Sequence, residues 1–201
     1  MSNQRQIKIR LKAIIKVLIY KSILLKSIRF ILFIFLFHSV SEAAEPSMNN
    51  LRQELFALNQ NSGMAMDLLV KLEQIANPSS LIIAYKAVCE AHIAKVVSNP
   101  FEKYFYLHKA NKHLSHAIDL DNNNIEIRFL RYAVQVQTPK ILGFRKNIEE
   151  DKKVIMNSFT SFDWNQIDRK VINYIYDFMM ENSECGEYEK ERLNYFLSEV
   201  I

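Results

Sequence analysis

The stretch from Asn124 to Gln137 limits the possible folds of this chain more than any other, because as a helix it is apolar on two opposite faces. At about 100° per residue, a stripe of polar residues separates these two faces on one side only. One face holds Ile125, Phe129, Tyr132 and Val136, and the other holds Ile127, Leu130 and Val134. A helix of this kind is normally covered by neighbours on both sides. The sequence therefore predicts a stack of helices with this helix in the middle.

The rest of the chain supports the same fold class. Three glycines and four prolines in 201 residues disfavour a hairpin-rich β fold and a glycine-rich phosphate loop. Apolar residues recur at helical spacing almost throughout, and the length suits one domain of ordinary size. We therefore predict a single all-α domain over residues 44–201, built from stacked antiparallel helical hairpins with about eight helices.

The net charge of +4 is unevenly distributed along the chain. Residues 1–43 contain eight Lys/Arg and one acid, so they carry +7, whereas residues 44–201 contain 18 Lys/Arg and 21 Asp/Glu and carry −3. The basic character thus belongs to the N-terminus and not to the predicted domain. A body with net negative charge lacks the electrostatic footprint that phosphate requires, so we expect no nucleic-acid partner.

Residues 1–43 have the parts of a secretory signal peptide. A basic leader is followed by the uncharged apolar core Phe30 to Phe37 and then by small residues, with Ala43 as the predicted cleavage point. The core is shorter than the roughly 20 residues of a membrane span. The sequence favours export to a periplasm or beyond. Two alternatives stay open: Leu11 to Val40 is retained as an inner-membrane anchor, or the segment is an ordinary amphipathic helix.

Local signals place several helix ends within residues 44–201. Ser79 or Ser80 is a plausible N-cap for a helix over Leu81 to Val97, and Pro100 separates that helix from the next. Asp163 to Gln166 reads as a capping box that starts the seventh helix. The two cysteines, Cys89 and Cys185, form either a disulfide or a pair of free thiols, with Cys89 buried and Cys185 exposed.

The segment from Ala110 to Asn123 resembles the second helix and closing turn of a tetratricopeptide repeat. The resemblance lies in the spacing of Ala110, Leu114 and Ala117 and in the acidic turn from Asp119; Asn122 stands where the family usually has proline. It implies an α-solenoid that binds a peptide or protein in a concave groove. The arrangement as a whole also resembles small exported helical proteins of Bacteroidetes-type bacteria.

The polar stripe of the central helix is the first candidate site. Arg128, Arg131 and Gln135 interrupt a helix that is otherwise apolar, and Lys140 and Arg145 follow in the next loop. Arginine holds carboxylates by paired hydrogen bonds, so these five residues predict a site for a carboxylate or a peptide C-terminus. The alternative is that the arginines pair within the chain, with Asp119, Asp121 or the acidic turn from Glu149 to Asp151.

Two further groups of residues have less specific patterns. His108, His113 and His116 lie on one predicted helix with His92 on the helix before, but no carboxylate or cysteine completes a metal site at a recognised spacing. Phe101, Tyr104, Phe105 and Tyr106 either pack a hairpin corner or form a partner surface. No motif of a nucleophile with a neighbouring base is present, so the sequence predicts neither a cofactor nor an enzyme.

These observations predict an exported, non-catalytic helical-repeat module that binds a protein or peptide. Contact with a membrane is expected only through an uncleaved N-terminal segment. The alternatives are a small-molecule or metal-dependent site on the histidine-bearing helix, and a purely structural component of the cell envelope.

Overall fold

The computed structural model describes residues 47–161, 168–182 and 184–200. The chain divides after Glu45 into two units, and all the described residues belong to the second unit, Pro46–Ile201. Within these ranges the chain forms eight α-helices and two short 3-10 helices, without a strand, so the predicted all-α class is confirmed. The predicted signal segment, residues 1–43, lies outside the described residues.

The helices follow one another through short connections. In chain order they are α1 Met48–Ala57, α2 Ala65–Glu73, α3 Ser80–Val96, α4 Pro100–Leu120, α5 Ile125–Gln137, α6 Ile148–Ser161, α7 Arg169–Glu181 and α8 Glu187–Val200. The two 3-10 helices are Ser62–Met64, before α2, and Lys140–Leu142, between α5 and α6. None of the helices in the described ranges is both long and apolar enough to cross a membrane.

Polar side chains cap the helices where the sequence suggests starts. The Ser79 hydroxyl accepts a hydrogen bond from the Ile82 amide at the start of α3, and the Asn124 side chain accepts one from the Ile127 amide at the start of α5. Each cap satisfies a backbone donor that has no partner within its helix. Asn99 caps α4, with Pro100 as its first residue, a position where a missing N–H costs nothing.

The seventh helix begins later than its sequence predicts. The structure starts α7 at Arg169, because Asp168 has a non-helical backbone and its carboxylate accepts a hydrogen bond from the Lys170 amide at 2.9 Å. The predicted capping box, residues 163–166, falls in the range 162–167, outside the described residues.

Helix α5 lies in the middle of the described helices, as its two apolar faces predict. It packs against α3, α4, α6 and α7. Ten of its 13 residues are buried, including the polar side chains of Glu126, Arg128, Arg131 and Gln135. Because a buried charge must be paired, this helix requires polar partners on its neighbours.

Helix α3 is the second element at the centre of the structure. It packs against α1, α2, α4 and α5, and small side chains at Ala84, Ala87, Ala91 and Ala94, all buried, permit this close approach. Its buried acid, Glu90, contacts α4, where Lys109 Nζ lies 2.9 Å and His113 Nδ1 3.0 Å from its oxygens. An ion pair and packing therefore join α3 and α4.

Both cysteines are free thiols and both are buried. The prediction that Cys185 is exposed was wrong, because its thiol packs beside the Tyr132 hydroxyl, 3.8 Å away. Burial raises the pKa of Cys89 to about 12 and also raises the pKa of Cys185. Neither thiol has the lowered pKa of a reactive cysteine.

Candidate functional site

The arginines of the predicted site face helix α6. Asp151, fully buried in the first turn of α6, accepts hydrogen bonds from Arg131 Nε at 2.6 Å and Arg131 Nη2 at 2.7 Å. The same carboxylate accepts a third hydrogen bond from Arg128 Nη1 at 2.9 Å. Arg128 Nε also donates to the Asn122 carbonyl oxygen at 2.9 Å. One buried acid therefore holds both guanidinium groups.

Glu150 adds a second acid to this cluster from the solvent side. Its carboxylate accepts a hydrogen bond from Arg128 Nη1 and lies 3.5 Å from Arg131 Nη2. Hydrogen bonding to Arg128, together with Asn147, lowers the pKa of Glu150. Burial acts to lower the pKa of Arg128, but the hydrogen bonds to Glu150 and Asp151 outweigh it and the pKa is raised. We call Arg128, Arg131, Glu150 and Asp151 the arginine cluster.

Gln135 continues the same face of α5, and its hydrogen bonds go to residues outside the cluster. Its Nε2 donates to Asn111 Oδ1 at 3.0 Å on α4, and its Oε1 accepts from the Asn147 amide at 3.0 Å just before α6. Gln135 thus connects three segments through hydrogen bonds, and its side chain is buried.

The other two residues of the predicted site lie elsewhere. Lys140 is exposed in the 3-10 helix after α5. Arg145 Nη1 donates to the Val136 carbonyl oxygen at 3.1 Å, and its Nη2 pairs with Glu184 before α8. The structure brings Arg128, Arg131 and Gln135 to one face, but Lys140 and Arg145 are not part of it.

The arginines pair with acids of the same chain, which is the alternative that the sequence left open. Their partners are Glu150 and Asp151. The side chains of Arg128 and Arg131 are only 10% and 6% exposed, which leaves little guanidinium surface for a ligand. Ligand binding by these residues stays a prediction.

The opposite face of α5 borders an open cavity of about 260 Å³ that we call the central groove. Measured around the helix, its residues Phe129, Leu130, Ala133 and Val134 lie roughly 160° from the arginine stripe. Helices α1, α3, α4 and α7 and the loop after α5 supply the other walls. The remaining apolar lining residues are Leu55, Phe56, Val88, Ala91, Ala94, Leu107, Pro139, Leu142 and Tyr174.

Six polar residues line the groove, namely Asn59, His92, Lys95, Lys103, Gln137 and Thr138. Several of them are engaged with neighbours: Asn59 Nδ2 donates to the Tyr174 hydroxyl at 2.7 Å, and the Thr138 hydroxyl donates to the Val134 carbonyl oxygen at 2.7 Å. His92 Nδ1 lies 2.8 Å from the Ser62 hydroxyl. Burial, with a smaller contribution from Lys95, lowers the pKa of His92 to about 4, so this imidazole is neutral at pH 7.

The two lysines supply the charge of the groove. Lys95 is in the last turn of α3, and Lys103 is in the first turn of α4. Lys95 Nζ donates to Gln137 Oε1 at 2.8 Å, and burial lowers the pKa of Lys95. No aspartate or glutamate is among the residues that line the groove in the described part of the chain. The groove is therefore an apolar surface with positive charge.

A buried polar network joins three walls of the groove at one end. Glu126 of α5 accepts hydrogen bonds from Arg52 Nη2 of α1 at 2.8 Å and from the Tyr85 hydroxyl of α3. Each of these residues lies three positions, about one helical turn, before a groove residue. The pairs are Glu126 with Phe129, Arg52 with Leu55 and Tyr85 with Val88. Burial, followed by the charge of Glu126, raises the pKa of Tyr85. The network fixes the spacing of the three helices where the groove begins.

The histidines of the hypothesised metal site on α4 lie in different surroundings. His113 pairs with Glu90, and His108 lies near the rings of Tyr104 and Phe144. Within the described ranges, no group of three His, Cys, Asp or Glu residues is placed to hold a metal ion. A metal-dependent site on this helix stays a hypothesis.

The aromatic residues at the start of α4 are largely exposed. Phe101 is 83% exposed and Phe105 is 59% exposed, whereas Tyr106 packs against the core. Packing of a hairpin corner therefore accounts for Tyr106 but not for these two phenylalanines. They lie on the side of α4 opposite to Lys103 and Leu107, so they are not part of the groove.

Sequence reasoning missed the central groove. Its walls combine residues as distant as Leu55 and Tyr174, and no local spacing relates them. One signal was present in α3, where Ala91 and Ala94 leave space beside an otherwise apolar helix and Lys95 follows directly. Comparisons of this chain with family models, with curated proteins and with solved structures found no match.

Proposed function

We propose that the chain is an exported, non-catalytic binding module, and that its central groove takes apolar side chains from a protein or peptide partner. The groove itself carries this proposal. Apolar walls with a few polar groups at fixed positions are typical of ligand sites. Its volume of about 260 Å³ is small for such sites, which suits one or two anchor side chains of a larger partner.

The surroundings of the groove favour binding by a preformed site. The network of Arg52, Tyr85 and Glu126 ties three of its walls together, and Phe56 stacks on Tyr174 with ring centroids 4.5 Å apart. A site whose walls are already ordered loses less conformational entropy when a partner binds. The lining combines neutral polar groups and lysines without a carboxylate, so it offers contacts for binding.

The proposal includes the finer features expected from the sequence. We take the helices as a solenoid of the tetratricopeptide-repeat type, supported by Ala110, Leu114 and Ala117, which are all buried on α4. We take residues 1–43 as a cleaved signal peptide, supported by the basic leader and the apolar core. N-terminal sequencing of the protein from fractionated cells tests export, with Ala44 as the expected first residue and Met1 in the membrane fraction as the contrary result.

The groove is tested by selecting peptides and then filling the cavity. Twelve-residue random peptides displayed on phage are selected on the purified full chain, and the affinity of the best synthetic peptide is measured by fluorescence anisotropy. The Ala133→Trp variant places an indole in the groove and is expected to weaken binding at least about tenfold, the effect of losing about 1.4 kcal/mol. Val70→Trp adds the same side chain at a residue that is 49% exposed on α2 and serves as the matched control.

The expected peptides contain large apolar residues and bind the wild type and Val70→Trp equally well. Circular dichroism and thermal melting establish that each variant is folded. A library that yields no binder, or a peptide that binds Ala133→Trp as tightly as the wild type, contradicts the proposal.

A further inference from the structure

We propose that Lys95 and Lys103 form a carboxylate subsite in the central groove, so that the bound segment of the partner is a peptide with an acidic residue beside its apolar anchors. This inference rests on the proposed function and specifies the ligand of the same site. It predicts a sequence preference in the partner that an apolar groove alone would not have.

The lysines are placed on adjacent helix ends by the connection between α3 and α4. Lys95 precedes the connection and Lys103 follows Asn99, the N-cap of α4, and both side chains line the groove. Lys95 Nζ is held by the neutral amide oxygen of Gln137 at 2.8 Å. That bond orients the ammonium group without neutralising its charge.

Several other cations in the described part of the chain pair with acids, unlike these two lysines. Lys71 pairs with Glu54, Lys109 with Glu90 and Lys152 with Glu149. The arginines at 52, 128, 131 and 145 also pair with acids. No ion pair joins Lys95 or Lys103 to a carboxylate within the described ranges. Burial acts against the charged form of Lys95 by lowering its pKa, and a carboxylate from a ligand would favour that charged form.

The charge around the groove contrasts with the charge of the domain. Residues 44–201 carry −3 in total, yet the residues that line the groove include two lysines and no acid. A carboxylate is therefore attracted to this surface, which favours one orientation of the bound segment. The lysine ammonium group is a compact point charge, so it binds either a side-chain carboxylate or a peptide C-terminus.

The neutral polar groups at the edge favour a peptide over an acyl chain with the same acidic end. Asn59 and Gln137 are exposed and line the groove. Backbone amides of a bound peptide need hydrogen-bond partners, which the other amide atoms of these side chains, Asn59 Oδ1 and Gln137 Nε2, supply. An acyl chain has no group along its length that uses them.

The experiment compares peptide selections on three forms of the full chain. The double variant Lys95→Met, Lys103→Met keeps much of the aliphatic side chain and removes both charges of the subsite. The control variant Lys112→Met, Lys153→Met removes two charges at exposed positions outside the groove. On the wild type and the control, selected peptides are expected to be enriched in Asp or Glu beside large apolar residues. On the subsite variant, the acidic enrichment disappears and the apolar enrichment stays.

A second measurement uses only the wild-type chain, so it does not depend on the folding of a variant. The best peptide is compared with its Asp→Asn or Glu→Gln form, or with its C-terminal amide if the acid is terminal. Loss of the charge is expected to weaken binding about tenfold at low salt, the effect of one charged hydrogen bond. The difference shrinks at about 0.5 M NaCl because salt screens the interaction.

Each contrary outcome identifies which proposal fails. Equal acidic enrichment on the wild type and the subsite variant, or equal affinity of acidic and amide peptides, overturns the subsite and leaves the groove intact. Peptides that bind Ala133→Trp unchanged overturn the groove itself. A third outcome is that dodecanoate displaces the peptide and binds more tightly than the peptide does. That result assigns the site to an acyl chain and overturns the peptide ligand.

Discussion

The two sides of helix α5 are covered differently by the rest of the structure. On one side, Arg128 and Arg131 are buried with the carboxylate of Asp151 between them. On the other side, Phe129 and Ala133 border a groove that no described helix fills. On this helix the two arginines are covered by neighbouring acids, whereas the apolar side borders a cavity. Because an apolar cavity can bury apolar side chains of a partner, the groove side is the better candidate for binding.

The packing of α6 accounts for this difference. Helix α6 lies against α5 and brings Glu150 and Asp151 in its first turn. These acids also suit the positive end of the α6 dipole. On the groove side, α5 is approached by α3, α4 and α7, whose side chains meet around a cavity. The arginine cluster is therefore neutralised by its own acids, while the groove side of α5 borders a cavity.

The largest expected effect comes from breaking the arginine cluster. Asp151→Asn removes the charge that two buried guanidinium groups share, with little change in shape. Removing one partner of a buried ion pair costs about 3–5 kcal/mol, so we expect a loss of that size in the free energy of unfolding. Urea denaturation at pH 7, followed by circular dichroism, measures it.

The neighbouring acid Glu149 provides the control. Its side chain is 77% exposed and pairs with Lys152 at 3.1 Å, so Glu149→Gln is expected to change stability by no more than about 0.5 kcal/mol. If Asp151→Asn costs less than about 1 kcal/mol, the cluster is not a structural ion pair, and the arginines become candidates for ligand binding again.

A smaller effect distinguishes the packed interior from the open groove. Ala117 on α4 is completely buried, whereas Ala133 lines the groove. Extra methylene groups in a packed core cost about 1–3 kcal/mol, so Ala117→Leu is expected to lower the free energy of unfolding by that amount. The leucine of Ala133→Leu extends into the cavity, so this variant is expected to change the free energy of unfolding by less than about 0.5 kcal/mol.

Equal losses in the two leucine variants would contradict this comparison, because they would mean that the walls around Ala133 are as tightly packed as those around Ala117. Chemical denaturation of both variants in one buffer gives the difference directly. The slope of the free energy of unfolding against denaturant concentration shows whether both variants unfold in the same two-state transition.

Much of the fold follows from local features of the sequence. The apolar periodicity of residues 125–137 predicts both the helix and its central position, and Ser79 and Asn124 cap helices as their residue types suggest. The start of α7 was harder to place, because Asp163 and Asp168 are both suitable caps. Choosing between two local signals requires the packing of the rest of the chain.

The sites were less predictable, because their partners are distant in sequence. The acidic turn before Lys152 suggested a partner for Arg128 and Arg131, but its position beside α5 depends on how α6 packs. The groove depends on five helices at once, and its lysines are unremarkable as single residues. Periodicity identifies which residues are buried; it does not identify where packed helices leave space.

The most direct test of the central claim is to locate a bound peptide by nuclear magnetic resonance. The full chain is labelled at its methyl groups and arginine Nε atoms and titrated with the best selected peptide. We predict shifts in the methyl signals of Ala91, Ala133 and Val134, with the Nε signals of Arg128 and Arg131 unchanged. Shifts confined to those two arginines and the Gln135 side chain would contradict the account and place the ligand on the opposite face of α5.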